Sequence, residues 1–323
     1  MVPAAEFRSY YGRPVIKEPV WKVPEVPGYL FLGGLAGASS ALAAASDLVG
    51  RPELARAAKT AAAGAISLSA VALIADLGRP ARFHHMLRVF KPTSPMSVGS
   101  WLLAGYGPAA GVAAASALTG LLPGIGKTAT VAAAVLGPGV ASYTAALLSD
   151  TAVPAWHDAH RELPYVFVGS AAMAAGGLGL VLTRPDRAEP ARNLAVAGAA
   201  AELAAKSLLV KRLGPVGAEP YQSGRAGRLM EAAEILTVAG LAAAVLGGRN
   251  RAAGALAGAA LVTSSALTRF GIFFAGRTSS RDPKYTIAPQ RARAEGARQA
   301  GGARPAGRAG RAPESIPDVN VPD

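Results

Sequence analysis

The sequence predicts an all-α integral membrane bundle of about eight transmembrane helices. Of its 323 residues, 51% are hydrophobic and only 16% are charged, whereas soluble proteins usually carry about 25% charged residues. Charged side chains are missing from continuous runs of about 20 residues, which is the length that an α-helix needs to cross a bilayer. A transmembrane β-barrel is disfavoured because these runs do not alternate at every second residue.

Eight apolar runs define the predicted spans. The clearest are GYLFLGGLAGASSALAAAS and YVFVGSAAMAAGGLGLVLT, whereas the sixth and seventh contain charged side chains. The spans are predicted at 28–46, 58–77, 99–121, 128–149, 164–183, 193–210, 231–247 and 252–275, which together make one membrane domain over 28–275.

Two segments flank this membrane domain. Residues 1–27 are charged and proline-rich without a long apolar run, so we expect an extramembrane segment rather than a signal peptide. Residues 276–323 are rich in Arg, Ala and Gly, a composition that is typical of a disordered tail. We expect this basic tail to contact anionic membrane lipid rather than nucleic acid.

An even number of spans places both termini on one side of the membrane, here called side A, and the opposite side is side B. The predicted loops on side A are 78–98, 150–163 and 211–230. Lysine and arginine are almost evenly divided between the loops of the two sides, and only the tails shift the balance toward side A. The positive-inside rule therefore favours a multi-pass protein of the cell membrane with cytoplasmic termini.

The missing residue types restrict the chemistry of the chain. It contains no cysteine, so it cannot ligate an iron–sulfur cluster or hold a thiolate zinc site. Its four histidines, at positions 84, 85, 157 and 160, all fall in loops of side A. No span supplies an axial ligand for a membrane haem, so we expect neither haem, iron–sulfur cluster nor metal in this chain. Any redox centre of that kind would belong to a partner subunit.

The segment GLLPGIGKT, residues 120–128, resembles a phosphate-binding loop, but its first glycine is displaced by one position and no strand precedes it. We interpret it as a short turn between the third and fourth spans. Two glycine pairs, Gly33/Gly37 and Gly254/Gly258, have the four-residue spacing that allows close packing of membrane helices.

Polar residues concentrate in the loops of side A. Pro92 and Pro95 fix the backbone and remove hydrogen-bond donors, so the connector between the second and third spans is predicted to be rigid. Basic and aromatic side chains on the same side predict a docking surface for a partner, although a solvated loop is the alternative for each single residue. This predicted docking set comprises Arg82, Arg88, Lys91, Trp101, Trp156, His157 and Arg161.

Five of the charged residues within the predicted spans stand out, because burial of charge there is costly and often functional. Glu202 and Lys206 lie four residues apart on one helix face and can pair. Glu231 and Glu234 are placed in the first turn of span seven, where the helix dipole favours negative charge. Arg269, near the side A end of span eight, could pair with either glutamate. These five residues form either structural ion pairs or a proton route.

Tyr143 lies in span four, about 10 Å from the side A boundary at a rise of 1.5 Å per residue. A tyrosine at this depth requires a hydrogen-bond partner. That partner is either a neighbouring backbone carbonyl or a lipophilic carbonyl ligand such as a quinone.

Two long segments carry a family resemblance: DLGRPARFHHMLRVFKPTSPMSVGSWLL and SYTAALLSDTAVPAWHDAHRELPYVFVGSAAMAAGGL. Their Asp-x-x-Arg-Pro, Lys-Pro-x-Ser-Pro-Met-Ser-x-Gly-x-Trp, Tyr-x-x-x-Leu-Leu-Ser and Leu-Pro-x-x-Phe elements resemble the NrfD-like membrane subunits of the polysulfide reductase type. The resemblance covers roughly residues 25 to 180. It implies a haem-free anchor of eight spans that exchanges electrons between membrane quinone and an iron–sulfur subunit, which is attached to a molybdopterin catalytic subunit.

The resemblance also implies a site for menaquinone or ubiquinone. It places Tyr143 as the quinone ligand of span four, with Asp76 and Arg79 at the polar end of span two. The asparagine and histidine that the family uses at the start of span one are absent from PGYLFLGGLAG, in which Tyr29 is the only polar side chain. The candidates to replace that histidine are His84 and His85.

The sequence leaves two other functions open. One is a purely structural anchor that holds its partners without binding quinone, because the span-one ligands are missing. The other is an ion- or proton-translocating transporter subunit. The chain itself is therefore expected to be either a non-catalytic or a quinone-reactive subunit.

Overall fold

The computed structural model describes residues 15–247, 250–291 and 294, and over these residues the chain is helical and without strands. Eight helices are long and apolar enough to cross a membrane, which confirms the predicted fold class. The α-helices are α1 (Glu25–Leu48), α2 (Pro52–Asp76), α3 (Pro95–Thr119), α4 (Pro123–Ser149), the short α5 (Pro154–Asp158), α6 (Leu163–Leu182), α7 (Glu189–Gln222), α8 (Gly224–Leu246) and α9 (Arg251–Arg281), and a 3-10 helix (Pro80–Leu87) lies between α2 and α3.

Local sequence signals set several helix ends. Ser94 caps α3 by accepting a hydrogen bond from the Ser97 backbone N–H, and Pro95 occupies the first helical position, where no backbone donor is needed. Gly120, with φ of 74°, ends α3 in the left-handed conformation. Only residues 120–122 of the predicted turn over 120–128 are non-helical, because α4 begins at Pro123, five residues before the predicted start.

Two segments predicted to lie outside the spans contain helix. The side A loop over 211–230 is almost entirely helical, because α7 runs on to Gln222 and α8 begins at Gly224. The chain bends inside α7 at Gly214 (φ 66°, ψ −175°), where the following Pro215 cannot donate a backbone hydrogen bond. The predicted tail from 276 is also helical at its start, since α9 continues to Arg281 and residues 284–291 are helical. The rest of that predicted tail, and residues 1–14, lie outside the described residues.

The bundle has a buried centre and an exposed periphery. Helix α1 packs against α2, α4 and α6, and α6 in turn packs against α7 and α9. Within the apolar stretch of each helix, the buried share of residues is 67% in α6 and 61% in α1, but only 22% in α3 and in α8. The central helices therefore hold the side chains that never meet lipid, and α3 and α8 form outer walls.

Backbone contact at glycine holds the central helices together. Gly37 of α1 faces Gly137 of α4, and a Cβ added to either would overlap the carbonyl oxygen of the other. Gly177 of α6 and Gly258 of α9 meet in the same manner. Lipid provides no hydrophobic force between helices, so such close packing drives their association.

Of the four glycines that the sequence singled out, the structure places Gly37 and Gly258 in tight contacts. Gly33 makes an ordinary contact, since a Cβ there would lie 3.4 Å from the Ser69 hydroxyl oxygen. Gly254 faces open space. Two of the four predicted packing positions are therefore confirmed.

We expect Gly37→Ala to destabilise the bundle, because the added Cβ forces α1 away from the Gly137 carbonyl. Overpacking of this kind costs about 1–3 kcal/mol. The measurement is the thermal melting temperature of the detergent-solubilised protein. Gly254→Ala is the matched control, since the same methyl group enters open space and alanine favours helix. Equal melting temperatures for the two variants would contradict the assigned contact.

Candidate functional site

An ordered N-terminal strap, residues 15–24, crosses the side A end of the bundle. The backbone N–H of Lys22 donates to the Asp76 carboxylate at 2.8 Å, and its ammonium donates to the Ala75 carbonyl at 3.0 Å. The strap is thereby fixed to the end of α2. Asp76, predicted at the quinone site, is engaged with the strap, and its role toward a quinone stays a prediction.

The strap is also bound to α9 by charge. Arg277 and Arg281 donate to the Glu18 carboxylate at 2.7 and 2.9 Å. The hydrogen bond from Arg281 holds the pKa of the Glu18 carboxyl below its ordinary value, with further help from Arg277. Glu18 therefore joins the strap to the last turns of α9 while it remains ionised.

Trp156 lies beneath the strap. Its ring stacks on Trp21 with centroids 5.5 Å apart, and its indole N–H donates to the Ile272 carbonyl at 2.8 Å. The side chain is 0% exposed. The assignment of Trp156 to the docking surface is therefore wrong: α5 turns this ring inward, against α9, and the strap covers it.

Tyr143 and Tyr29 come together between α4 and α1. Their rings meet edge to face at 6.5 Å, and the Tyr143 ring occupies the space that a Cβ at Gly99 of α3 would need. Tyr143 is 9% exposed, and its hydroxyl is buried without a hydrogen-bond partner in the structure. A buried polar group without a partner costs about 1–3 kcal/mol. Such an atom marks a position at which a ligand or a water can bind.

Glu25 is a further polar residue of this region, and the sequence interpretation missed it. One carboxylate oxygen of Glu25 is buried without a hydrogen-bond partner. Glu25 lies four residues before Tyr29, so both project from the same face of α1. The prediction placed the first span from 28 onward and left Glu25 outside it, whereas α1 begins at Glu25. The sequence feature that could have identified it is an acidic residue in the first turn of a helix, where the helix dipole favours negative charge.

The other predicted quinone residues are not brought to Tyr143. Arg79 precedes the 3-10 helix and is exposed, and that helix has no buried residue. His84 and His85 pack edge to face on each other at 4.4 Å, and His84 also contacts Phe83. Arg79, His84 and His85 thus lie on the surface of side A, whereas Tyr29 and Tyr143 lie inside the bundle.

Hydrogen bonds hold the connector against the start of α3. The Ser97 hydroxyl donates to the Val89 carbonyl at 3.0 Å and accepts from the Lys91 backbone N–H at 3.0 Å. The Trp101 indole N–H reaches the same Val89 carbonyl at 3.4 Å, and its ring contacts Phe90. These contacts fix the connector to α3, and the rigidity expected from Pro92 and Pro95 stays a prediction.

The rest of the predicted docking set is exposed on side A. His157 is additionally tied to the Ser149 carbonyl at 3.0 Å, so its ring is held in place at the surface. The exposed members are Arg82, Arg88, Lys91, Trp101, His157 and Arg161.

A buried polar cluster occupies the contact of α6, α7 and α9. Glu202 is 0% exposed and pairs with Lys206 at 2.7 Å, which is the ion pair that the spacing predicted. Thr268 donates to Glu202 at 2.8 Å and receives a hydrogen bond from Lys206 at 3.0 Å. The second carboxylate oxygen of Glu202 has no partner in the structure.

Arg269 belongs to this cluster and not to the glutamates of α8. Its guanidinium donates to the Phe167 carbonyl at 2.7 Å and lies 3.9 Å from the centre of the Phe167 ring. The predicted pairing with Glu231 or Glu234 is wrong. Because α8 begins at Gly224, both glutamates lie beyond its first turn, and both are exposed on its outer face. A proton route through any of these residues stays a prediction.

Within the described ranges, no group of three or more His, Asp or Glu side chains is arranged to hold a metal ion. The features that stand out are an exposed basic face on side A and, beneath it, buried polar atoms without partners. With eight helices long and apolar enough to span a membrane, the chain is a multi-pass membrane protein whose side A carries an exposed basic surface.

The family model described as "Polysulphide reductase, NrfD" matches residues 15–197. This is more than half of the 323 residues, so the chain belongs to the NrfD family of membrane subunits. No curated protein matches the chain. The matched region contains the strap, the connector and the Tyr29–Tyr143 contact. It ends inside α7, before Lys206 on the same helix and before Arg269 on α9.

We expect Glu18→Gln to loosen the strap, because an amide cannot pair with two guanidinium groups. The folded-state pKa of Glu18 is lowered, so its stabilisation is present above the unfolded value of about 4.3 and is lost as the pH falls through the folded value. Amide hydrogen exchange over residues 15–24 at pH 7 should be faster in the variant than in wild type. Acidification below about pH 4 should loosen the strap of wild type but add little in the variant.

Glu53→Gln provides the control for this measurement. Glu53 pairs with Arg187 at 2.6 Å on side B, so the same chemical change there leaves the strap intact. Equal exchange of residues 15–24 in wild type and in Glu18→Gln would show that the ion pairs do not hold the strap.

Proposed function

We propose that the chain is a haem-free membrane anchor that exchanges electrons between the quinone pool and an iron–sulfur subunit of a molybdopterin oxidoreductase complex. Membership of the NrfD family supports this function. The observation that carries it is the buried Tyr143 hydroxyl without a hydrogen-bond partner. A quinone bound there would supply two carbonyl oxygens as acceptors and a redox couple that takes up two electrons and two protons.

Tyr143 would orient the ligand. Its ring is held between Tyr29 and the Gly99 backbone, so the direction of its hydroxyl is fixed before any ligand binds. A donor that is already oriented loses little entropy when it forms its hydrogen bond. The surrounding helices are apolar and exclude water, which strengthens that bond.

Glu25 would handle protons. Its carboxylate lies in the first turn of α1, close to the side A boundary, and one of its oxygens is free to accept a proton from a bound quinol. The strap ends directly before Glu25, and its Lys22 is exposed at the surface. A proton held on Glu25 is therefore near bulk water on side A.

The iron–sulfur subunit would dock on side A, over the connector and the loop that follows α4. Arg82, Arg88 and Arg161 present positive charge there. Phe90 and Trp101, which are 59% and 43% exposed, add apolar surface between the charges. A basic rim around aromatic side chains is the composition of many protein interfaces. Cytoplasmic placement of side A stays a prediction from the basic tails.

We expect Tyr143→Phe to lower quinone-coupled turnover of the intact complex without releasing its partners. Loss of one hydrogen bond is worth about 1 kcal/mol, or roughly fivefold in rate or affinity. Tyr165→Phe is the matched control, because it removes the same hydroxyl from a side chain that is 70% exposed on α6. Unchanged kinetics and quinone affinity in Tyr143→Phe would exclude this residue as the ligand.

The partners are tested by purification from detergent-solubilised membranes, with metal analysis and quinone extraction of one sample. We expect iron, molybdenum or tungsten, and stoichiometric quinone to accompany the wild-type chain. Charge reversal of Arg82 and Arg88 should release the metals in a high-salt wash, because docking there is electrostatic. Charge reversal of Arg56, an exposed cation near side B, should not.

The other outcomes of this purification separate the alternatives. Metals without quinone would indicate a purely structural anchor. A chain free of both metal and quinone would favour a transporter subunit. Retention of the metals after charge reversal would move the docking surface away from the connector.

A further inference from the structure

The side B end of the bundle contains a cavity that the proposed function does not use. It lies between α1, α2, α3 and α4 and has a volume of about 530 Å³. Apolar residues, among them Ala113 and Ala117, form most of its wall, and Ser116 and Thr130 add hydroxyl groups. Three charged side chains also line it, namely Asp47, Lys59 and Lys127.

The charges of this cavity leave an excess of one positive charge. Lys59 pairs with Asp47 at 2.6 Å, and the Lys59 side chain is only 13% exposed. An ammonium group has three donors, so Lys59 keeps donors for a second acceptor. Lys127 is exposed and has neither an ion pair nor a hydrogen bond from its side chain in the described structure. The cavity therefore offers two cations against a single carboxylate.

The position of these charges matches the boundary of a bilayer. Lys127 is the fifth residue of α4 and Asp47 is the last residue but one of α1. Around them the apolar side chains of Leu48, Leu121 and Leu122 are 88%, 67% and 66% exposed, as expected of residues that face lipid. The positive end of the α4 dipole, where no side chain caps the helix, adds to the attraction for an anion.

The geometry points to a binding site for one anionic phospholipid in this cavity. The phosphate would lie between Lys59 and Lys127, and an acyl chain would cover the alanine-lined wall. Basic pockets between transmembrane helices bind anionic head groups by the same combination of charge and apolar surface. A soluble phosphate compound would use the cations but leave the apolar wall uncovered. The first turns of α4, with Pro123, Gly126 and Lys127, would thus provide one side of the lipid site.

The test uses the purified full chain in nanodiscs that contain phosphatidylglycerol and phosphatidylcholine with the same acyl chains, followed by native mass spectrometry of the released protein. Wild type should retain one phosphatidylglycerol. Lys127→Gln should reduce that retention about fivefold, since a cation at the membrane surface contributes about 1 kcal/mol toward anionic lipid. Ala117→Leu should reduce it as well, because the larger side chain fills the apolar wall without a change in charge.

Arg56→Gln is the matched control. Arg56 is an exposed cation of α2 near side B that does not line the cavity, so its loss should leave lipid retention unchanged. Equal retention by wild type and Lys127→Gln would overturn the proposal. An equal loss in Arg56→Gln would also overturn it, since attraction to the whole surface would then suffice. Binding of inorganic phosphate through Lys127 without retention of phosphatidylglycerol would replace the lipid by a soluble anion.

Discussion

Backbone contact between helices at glycine is the constraint on which the rest of this structure depends. Where Gly37 meets Gly137, α1 and α4 approach closely enough for the Tyr29 and Tyr143 rings to touch one helix turn or more away. The contact of Gly177 with Gly258 brings α6 and α9 together, and the Arg269 guanidinium of α9 can then reach the Phe167 carbonyl of α6. Lipid cannot substitute for these contacts, because hydrocarbon tails are as apolar as the side chains that they would replace.

The buried cluster of Glu202, Lys206, Thr268 and Arg269 is possible only because of that packing. A charge inside a membrane is tolerated when an opposite charge and hydrogen bonds compensate it, and removal of one partner leaves the other buried and unpaired. Here Glu202 pairs with Lys206, and both bond to the Thr268 hydroxyl. Arg269 donates to the Phe167 carbonyl, and its guanidinium lies beside Gly34 of α1. Two donor nitrogens of Arg269 and one oxygen of Glu202 still lack partners. The cluster thus fixes α6, α7 and α9 relative to one another, and its unpartnered atoms can form further hydrogen bonds.

Apolar runs were sufficient to predict the number and order of the spans, because the bilayer imposes one length on every one of them. They could not predict where helices end. Helix α1 begins at Glu25 and α2 at Pro52, both before the predicted spans. A helix can extend beyond the hydrocarbon into the charged boundary of the membrane, and an apolar pattern does not include those charged residues. Glu25 was missed for this reason. Trp156 was misplaced for a different reason. The strap that covers it is more than 130 positions away in sequence, and a local sequence pattern cannot predict such a contact. The Tyr29–Tyr143 contact likewise joins distant segments, and only the family resemblance indicated it.

The strap connects the side A ends of α1, α2 and α9 and covers α5. Glu18 attaches it to α9, Trp21 stacks over the buried Trp156, and Lys22 binds the last residue of α2. Glu25 follows in the first turn of α1, and the backbone N–H of Val26 donates to the Lys22 carbonyl at 3.1 Å, so the strap is joined to the start of α1. The connector is fixed to α3, whose Gly99 touches the Tyr143 ring. A subunit docked on side A would therefore contact the strap, which leads into Glu25, and the connector, which leads to the Gly99 backbone beside the Tyr143 ring.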